Sequence, residues 1–424
     1  MKIVCAPHGF NFVPFKADLE VDLYAINKGR SSVGQAVYWA FHSKKLTPEP
    51  RAWDFLSIAL SVIASDLTVS RSKSPDGWTR EFELTIAVSD PDFWNGQRAL
   101  LEKMVKFLST DVWSIAFVGG GFLPAPPKKA VFPTEDSVSL ISGGLDSFIG
   151  ALDLAKSGKK PYLVSQTVTG DGEKQRHFAQ IIGGGLSHIQ LNHNASVPKQ
   201  DSSPPSQRTR SLMFLAYAIT TATTLKKHKD GEVVDLYMSE NGLISVNPPL
   251  TGSRLGSLST RTTHPIFIKL FQSLIDNASL NISIVNNYKF KTKGEMLKEA
   301  VDQDFLQANA HKTTSCGRFG VHGKKHCGRC VPCIIRRAAF LKWGMDDATE
   351  YVYSDLSIQD RSHGLYDDVR SAAMAALNVE QDGIRNLVGA SLNSSILGDI
   401  SQYLNVAERG MKEVKAFLSN QMVL

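Results

Sequence analysis

The feature that most constrains this chain is a short segment in which a strand pattern leads through two glycines into a helix pattern. Its sequence is Ser139-Leu140-Ile141-Ser142-Gly143-Gly144-Leu145-Asp146-Ser147. A glycine loop between a strand and a helix N-terminus presents backbone N–H groups and the positive end of the helix dipole to an anion. The hydroxyls of Ser142 and Ser147 add further donors. We therefore predict that residues 141–147 bind a phosphate group.

This loop differs from two common phosphate-binding motifs. It lacks the Gly-Lys-Ser/Thr ending of a Walker loop and the Gly-x-Gly-x-x-Gly of a dinucleotide fingerprint. Within it, Asp146 and Ser147 are candidate catalytic residues, and we expect Asp146 to lie in a solvent-facing loop. The alternative interpretation is a glycine turn that joins a strand to a helix and binds nothing.

Short strand patterns alternate with helix patterns around and after this loop. Strands are predicted at 137–141, 162–167, 189–191, 233–238 and 282–285, and helices at 147–156, 174–182, 211–226, 265–277 and 295–302. Such alternation predicts an α/β fold with a parallel sheet and helices on both faces. Two long polar gaps, 196–207 and 241–264, interrupt the pattern, and loops of this length are usually functional or disordered.

The first 133 residues show the pattern of a separate α/β unit. Strands are predicted at 20–25, 81–88 and 113–118, and helices at 56–70 and 93–108. The segment 123–129 contains three prolines in four residues, which fit neither a helix interior nor a central strand. We therefore predict an N-terminal α/β accessory or partner-binding domain at 1–133, a catalytic domain at 134–343 and a helical C-terminal region at 344–424.

Four of the five cysteines lie close together in the sequence. They are Cys316, Cys327, Cys330 and Cys333, separated by ten, two and two residues. Four thiolates at such spacings can close a tetrahedral site around Zn²⁺ with no open position, so we predict a structural zinc knot. An iron–sulfur cluster is the competing interpretation, although the spacing does not match ferredoxin patterns. His322 and His326 could replace a thiolate, but four cysteines suffice.

The phosphate loop and the cysteines together resemble the 7-cyano-7-deazaguanine synthase (QueC) family of the PP-loop ATPase superfamily. The matching residues are the Ser-Gly-Gly-x-Asp-Ser string, Ser315-Cys316, the Cys-Gly-x-Cys-x-x-Cys run that begins at Cys327, and Arg336. The resemblance covers about residues 137–343. It implies an adenine-nucleotide α-hydrolase-like fold that binds ATP and splits it into AMP and pyrophosphate. It also implies adenylation of the carboxylate of 7-carboxy-7-deazaguanine and coupling to ammonia, and we assign Asp146 to Mg²⁺ or pyrophosphate binding.

Two other segments resemble motifs of this family. The run Arg208-Thr209-Arg210-Ser211 resembles a Gly-Arg-Asn helix start, with Arg210 in place of the Arg and Ser211 in place of the Asn. The run Thr292-Lys293-Gly294-Glu295 has the pattern of a capping box and resembles a Lys-x-Glu segment. The resemblance implies that Arg210 and Lys293 are catalytic residues at helix N-termini. The alternative is that both are solvated side chains.

Other basic residues allow two interpretations. Arg254, Arg261 and His264 either meet a substrate carboxylate or are ordinary loop residues. A second group near the cysteines is either a solvated surface, which we favour, or an RNA site: Lys324, Lys325, Arg329, Arg336 and Arg337. The formal net charge of +6 is too small for 424 residues to indicate a nucleic-acid scaffold.

The sequence shows no sign of a membrane segment or a secretion signal. Its best apolar stretch, 56–64, is less than half of the ~20 residues that a bilayer span needs. The N-terminal residues lack the apolar run of a signal peptide. Because clustered cysteines suit a metal site in a reducing compartment, we predict a cytoplasmic protein with no membrane partner.

The chain extends beyond the QueC-like region at both ends. This architecture resembles the QatC-type, QueC-like proteins of bacterial anti-phage defence clusters, which implies that the activated 7-deazaguanine acid is joined to an amine of a partner protein. Residues 1–133 are then predicted to recognise that partner, and the alternative is that they only stabilise the sheet. Two other functions stay open, a synthase that uses ammonia and a non-catalytic nucleotide-binding subunit. The intact loop at 142–147 disfavours the subunit.

Overall fold

The computed structural model describes residues 1–25, 29–167, 171–198, 208–250, 261–357 and 366–424. Within these ranges the chain forms two five-stranded sheets. The first contains β1 (Lys2–Pro7), β2 (Leu19–Leu23), β3 (Ser31–Val33), β4 (Glu81–Ala87) and β5 (Val112–Val118). The second contains β6 (Ser137–Leu140), β7 (Pro161–Gln166), β8 (His188–Leu191), β9 (Val234–Tyr237) and β10 (Ile282–Val285). All neighbouring strands described within the two sheets are parallel.

Helices connect and cover the strands. The N-terminal unit has α1 (Gln35–Ser43), α2 (Pro50–Thr68), α3 (Pro91–Gly96) and α4 (Arg98–Ser109). The second unit has α5 (Leu145–Lys156), α6 (Gly172–Ile181), α7 (Arg210–Ala222), α8 (Lys226–Lys229), α9 (Gly242–Val246), α10 (Pro265–Asn277), α11 (Lys293–Glu299), α12 (Gln303–Asn309) and α13 (Val331–Trp343). The C-terminal region has α14 (Tyr366–Asp382), α15 (Ile384–Leu392) and α16 (Ile400–Asn420). Short 3₁₀ turns lie at Val13–Phe15, Arg71–Lys73, Ile182–Gly184 and Ala310–Lys312.

The two sheets have the same strand order. The first runs β3-β2-β1-β4-β5 and the second β8-β7-β6-β9-β10, so each reads 3-2-1-4-5 within its own unit. In an open parallel sheet of this kind, ligands bind beyond the carboxyl ends of the strands where the order reverses. In the second sheet that switch point lies between β6 and β9, and the glycine loop follows β6.

The predicted α/β class is confirmed, and in the second sheet each predicted element is present with ends shifted by at most four residues. In the first sheet the predicted strands correspond to β2, β4 and β5. The single helix predicted over 93–108 is wrong, because the chain breaks at Gln97 between α3 and α4. The sequence patterns do not indicate β1, β3 or α1. Parts of both polar gaps, 199–207 and 251–260, lie outside the described residues.

Helices α2 and α7 join the two sheets into one core. Helix α2 packs on the first sheet, α7 packs on the second, and the two helices pack against each other. Most side chains of α2 are buried, and α7 is buried along almost its whole length. One continuous apolar cluster contains residues of both sheets. The predicted boundary near residue 133 therefore separates two sheets that share a core.

Polar contacts reinforce this junction at one end of the two helices. Asp66 at the end of α2 accepts hydrogen bonds from the backbone N–H of Thr209 (3.3 Å) and from its hydroxyl (2.7 Å). The same carboxylate pairs with Arg80, which is fully buried and also pairs with Asp111. Thr209 is the N-cap of α7, so the N-terminal unit holds the start of the helix that begins with Arg210.

The C-terminal helices form a further layer on the second unit. Helix α16 packs against α14 and α15 of the C-terminal region and against α9, α11 and α13 of the second unit. No helix in the described ranges combines the length and the apolar character needed to span a bilayer.

Candidate active site and metal centre

The loop after β6 turns through two glycines into α5. Gly143 has a φ of +83°, a left-handed conformation that glycine adopts without a steric penalty. Gly144 is the N-cap of α5 and has no side chain that could accept hydrogen bonds from the backbone N–H groups of the first turn. Ser142 and Ser147 close the loop: their hydroxyl oxygens are 3.0 Å apart, and the hydroxyl of Ser147 also donates to the carbonyl of Gly144 (3.0 Å).

Asp146 is buried in the first turn of α5, so the expectation of a solvent-facing loop is wrong. Its carboxylate accepts hydrogen bonds from the ammonium of Lys293 and from Asn241, whose side-chain amide lies 2.6 Å away and whose backbone N–H lies 3.2 Å away. Asn241 follows β9, and Lys293 is the first residue of α11. Three segments distant in sequence therefore meet at this carboxylate.

Glu240 is the second acidic residue of this cluster. The side-chain amide of Asn241 donates to Glu240 (3.3 Å) as well as to Asp146. Burial raises the pKa of Glu240 well above its usual value, and the negative charge of Asp146 raises it further. Burial is also the largest single effect on Asp146 and acts in the same direction, but the charge of Lys293 and the hydrogen bonds from Glu240, Lys293 and Asn241 together lower the pKa of Asp146. The environment of the cluster therefore favours the ionised form of Asp146 and the protonated form of Glu240.

Two pockets adjoin the loop. The first has a volume of about 240 Å³ and a mainly apolar wall that includes Val164, Phe214 and Met238. The second has a volume of about 210 Å³ and reaches Asp146 and Lys293. Both are lined by Ser142, Ser147, Ser239, Glu240 and Ile244. An apolar pocket with an aromatic wall suits a planar heterocycle, and the polar pocket suits charged groups such as phosphates.

Arg210 begins α7 and points toward the ring of Phe214, with its guanidinium carbon 5.0 Å from the ring centre. Phe214 lines the first pocket. Burial lowers the pKa of Arg210, and the nearby Asp171 partly offsets this effect. Ser211, next in sequence, donates to Thr262 (2.7 Å), another residue of the first pocket wall. The catalytic roles of Arg210 and Lys293 stay predictions.

The segment that leads to the cysteines also reaches the loop. The backbone N–H of Thr314 donates to the carbonyl of Gly143 (2.9 Å), and the ammonium of Lys174 donates to the hydroxyl of Thr314 (2.7 Å). Arg336 is fully buried and donates to the hydroxyls of Thr313 (2.8 Å) and Ser315 (3.1 Å). Arg336 therefore fixes the position of residues 313–315, and Thr314 and Ser315 of this segment line the second pocket.

Sequence reasoning missed Lys174, Glu240 and Asn241. The last two lie three and four residues after the end of β9 at the switch point, and the rule that ligands bind at carboxyl ends of strands could have indicated them. Lys174 lies on α6 and has no comparable sequence signal.

The four predicted cysteines form one buried cluster. Their sulfur atoms all lie within 4.8 Å of one another. The Sγ atoms of Cys327 and Cys333 are 3.9 Å apart, and so are those of Cys316 and Cys330. A tetrahedral zinc site with Zn–S bonds of about 2.3 Å requires sulfur separations of about 3.8 Å, so this donor set fits Zn²⁺. Backbone N–H groups donate to the sulfurs of Cys316 and Cys327, as is common around bound metals.

The histidines near the cluster have other environments. His326 accepts a hydrogen bond from the backbone N–H of Ser315 (3.1 Å). Burial and then the charge of Arg336 lower its pKa to about 4, so it is neutral. Among the described residues, neither His326 nor His322 belongs to the metal-binding group, which consists of the four cysteines.

Several of the basic residues considered from sequence are buried or make contacts within the protein. Arg329 and Arg336 are buried, so the basic group near the cysteines is not simply a solvated surface. Arg261 donates to the carbonyl of Phe107 (3.0 Å), and His264 is the N-cap of α10, where its ring accepts from the backbone of Ile266. Both contacts are structural. Arg254 lies outside the described residues.

Comparison with known proteins points to one family. Residues 262–344 match the model of the family described as "Queuosine biosynthesis protein QueC". The 7-cyano-7-deazaguanine synthase of Methanothrix thermoacetophila is 26% identical over 243 residues, which cover 51% of this chain and 98% of the relative. This half of the chain is QueC-like.

Two further relatives agree with that finding. The 7-cyano-7-deazaguanine synthases of Acetivibrio thermocellus and Marinomonas sp. are 26% and 25% identical, and the matches cover 51% of this chain and 97% and 99% of the relatives. Nearly the whole of each relative thus corresponds to about half of this chain. No solved structure matches the chain.

Proposed function

We propose that this protein is an ATP-dependent C–N ligase that forms AMP and pyrophosphate. Its substrate is a 7-deazaguanine acid such as 7-carboxy-7-deazaguanine, whose carboxylate is adenylated and then coupled to an amine. The observation that carries this proposal is that the buried carboxylate of Asp146 accepts hydrogen bonds from Lys293 and Asn241. This cluster lies beside the glycine loop, at the switch point of a QueC-like sheet. The names of the relatives support the deazaguanine substrate.

The reaction has two steps. In the first, a carboxylate oxygen of the acid attacks the α-phosphorus of ATP, the bond to the bridging oxygen breaks, and pyrophosphate leaves. In the second, a neutral amine attacks the acyl carbon, the acyl–oxygen bond breaks, AMP leaves with its electron pair, and the amine loses a proton. Positioning of the two reactants supplies much of the rate enhancement in such transfers.

The residues of the site have distinct proposed roles. The N–H groups and hydroxyls of the loop hold phosphate oxygens, and the apolar pocket beside Phe214 holds a planar base. Lys293 and Arg210 stabilise negative charge that develops during adenylation. Mg²⁺ accompanies the nucleotide, and Asp146 and Glu240 offer the carboxylate oxygens that this ion prefers. A divalent cation would also offset the repulsion from Asp146 that, after burial, raises the pKa of Glu240.

The cysteine cluster has a structural role in this proposal. Four thiolates complete the coordination of Zn²⁺ and leave no position for a substrate. The metal would hold residues 316–333 and, through them, the neighbouring Thr314 against the loop. Zinc then stabilises the wall of the active site and takes no part in the chemistry.

The proposed acceptor is an amine of a partner protein, within an anti-phage defence system. About half of this chain lies outside the region shared with the relatives, which supports a role beyond that of a stand-alone synthase. Residues 1–133 are the proposed partner-binding unit. A second candidate acceptor is ammonia, as in a 7-cyano-7-deazaguanine synthase, and the names of the relatives favour it.

The first experiment tests the adenylation step. The full-length protein is incubated with ATP, Mg²⁺ and 7-carboxy-7-deazaguanine, and the nucleotides are separated by chromatography. We expect AMP and pyrophosphate that appear only with the acid and not with the Asp146→Asn variant. ADP with orthophosphate, or no turnover in any mixture, would contradict the proposal.

The second experiment distinguishes the acceptors. Ammonia is added to one reaction and the products of the neighbouring genes to another, and small molecules and intact proteins are analysed by mass spectrometry. A deazaguanine adduct on a partner protein supports the ligase. With ammonia the two steps give the primary amide, and a second ATP that adenylates the amide oxygen would convert it to the nitrile as AMP leaves with that oxygen. An amide or nitrile product with ammonia and no protein adduct supports the synthase.

A further inference from the structure

The C-terminal helix α16 contacts both segments that supply the partners of Asp146. It lies beyond residues 262–344, which match the family model. It packs against α11, which begins with Lys293, and also against α9, which follows Asn241. Helix α16 is therefore in direct contact with the scaffold of the proposed active site.

The contact with α11 is made by Glu413. Its carboxylate accepts a hydrogen bond from the hydroxyl of Thr292, the N-cap of α11, and another from the backbone N–H of Gly294 (3.3 Å). These two residues flank Lys293 in sequence. A carboxylate at this position also complements the positive end of the helix dipole. Glu413 thus fixes the backbone on both sides of Lys293.

A second bond network ties the same turn to α16. Arg409 donates to the carboxylate of Glu295 (2.7 Å) and to the carbonyl of Phe290 (2.7 Å). Glu295 in turn accepts from the backbone N–H of Thr292 (2.8 Å), which completes the capping box. Both ends of the turn that contains Lys293 are therefore held by side chains of α16.

The contact with α9 is close packing. A Cβ atom on Gly242 would lie 2.6 Å from a methyl carbon of Val406, so α16 passes directly over the residue after Asn241. The backbone N–H of Gly242 also donates to the carbonyl of Lys291 (2.8 Å), which connects the two segments under the helix.

We propose that Glu413 is a positioning residue that acts through the first turn of α11 to hold Lys293 against Asp146. The catalytic consequence rests on the function proposed above. Helix α11 has only seven residues, so its own hydrogen bonds do little to fix the direction of its first side chain. A long lysine side chain in a buried ion pair depends on such support, because small displacements expose two charges without partners.

The test measures how well Lys293 is protected, independently of any turnover. The full-length protein is treated with formaldehyde and cyanoborohydride, and methylation of each lysine is followed by peptide mass spectrometry. The variants are Glu413→Ala, which loses both bonds, and Glu413→Gln, which keeps a carbonyl acceptor for Thr292 but not a second one for Gly294. The matched control is Glu408→Ala, which removes a partly exposed carboxylate of the same helix that pairs only with Lys412 among the described salt bridges.

We expect methylation of Lys293 to speed up by about five- to a hundredfold in Glu413→Ala and by less in Glu413→Gln. Glu408→Ala should match the unmodified protein, and lysines of the first sheet should not change. If Glu413→Ala does not fold, Glu413→Gln alone decides the comparison. Unchanged labelling of Lys293 in a folded variant, or equal increases at all lysines, would overturn the proposal.

A kinetic measurement adds the catalytic consequence. In the AMP-forming assay, Glu413→Ala should lower kcat by about 10- to 100-fold with a smaller change in the KM for ATP, because the displaced group acts on the reacting atoms. If the unmodified protein forms no AMP, the proposed function fails, while the labelling result still decides whether Glu413 positions Lys293.

Discussion

The ammonium of Lys293 and the carboxylate of Asp146 form a buried ion pair although 147 residues separate them in the chain. Only 9% and 7% of the two side chains are exposed. The pair joins the first turn of α5 to the first turn of α11, and so connects the glycine loop to the end of the sheet near β10. Its two members therefore serve both the fold and the proposed chemistry.

The first prediction concerns the removal of one member of this pair. In Asp146→Ala, Lys293 is left as a buried charge without its carboxylate, which should lower the free energy of unfolding by about 3 kcal/mol. We place the loss at the low end of the usual range because Glu240 lies close enough to ionise in compensation. Urea unfolding measures the loss, and AMP formation should fall to the background.

A double variant separates stability from activity in this prediction. Asp146→Ala combined with Lys293→Met removes both charges and leaves neither one unpaired. Its stability should recover most of the loss, while its activity stays at the background. A double variant as unstable as the single variant would show that the ion pair is not the source of the destabilisation.

The second prediction concerns the metal. The purified protein should contain about one zinc ion per chain, and Cys330→Ser should lose the metal and become unstable, because metal binding at such sites contributes to folding. Elemental analysis and thermal unfolding measure both effects. Cys5→Ala, which alters the one cysteine outside the cluster, should keep its zinc. Stoichiometric iron, or a metal-free Cys330→Ser protein of normal stability, would contradict this assignment.

Local sequence patterns predicted the second sheet well. Its strands are short segments in which apolar residues stand at alternate or successive positions, and this pattern can be recognised without knowledge of the neighbouring strands. The cysteine cluster was equally accessible, because ligand spacing alone restricts the metal site. The glycine loop was found for the same reason, since its conformation is encoded within a few residues.

The remaining features depend on long-range packing. The apolar run of β1, residues 3–6, is too short for the sequence alone to distinguish a central strand from a disordered end. The burial of Asp146 was missed because its partners, Asn241 after β9 and Lys293 at the start of α11, are far away in sequence. The same holds for Glu413, since nothing in the sequence of α16 indicates which helix end its carboxylate caps.

The third prediction is a pH dependence of stability that arises from Glu413. Burial raises its pKa from the usual 4.5 to about 7, and the charge of Glu295 adds to this effect, whereas the bond from Thr292 and the charge of Lys342 oppose it. The folded protein therefore binds this proton more tightly than the unfolded chain. The resulting stabilisation is complete below about pH 4.5 and is lost as the pH rises through about 7.

Urea unfolding between pH 5 and 8 tests this dependence. The free energy of unfolding of the unmodified protein should fall more steeply with pH than that of Glu413→Gln, whose side chain does not titrate. Glu408→Ala serves as the control and should keep the slope of the unmodified protein. Parallel curves for Glu413→Gln and the unmodified protein would contradict the assignment.

The last prediction concerns the segment between the two sheets. Lys128 and Lys129 are exposed, so a specific protease site inserted before Lys128 should be cut readily. The two fragments should nevertheless stay together, because α2 and α7 are buried against each other and Asp66 holds Thr209. Separation would expose most of the apolar surface of both helices, at roughly 25 cal/mol for each Å².

Size-exclusion chromatography of the cut protein measures the association, with the uncut protein as the reference. We expect a single peak at the position of the intact chain that contains both fragments, and their separation only in denaturant. Asp66→Ala, which removes the bond to Thr209 and leaves Arg80 with Asp111, should lower the urea concentration at which they separate. Fragments that elute apart in buffer would mean that residues 1–133 form an independent domain. In that case the N-terminal unit could be removed to test partner binding directly, whereas a shared core requires surface substitutions for that purpose.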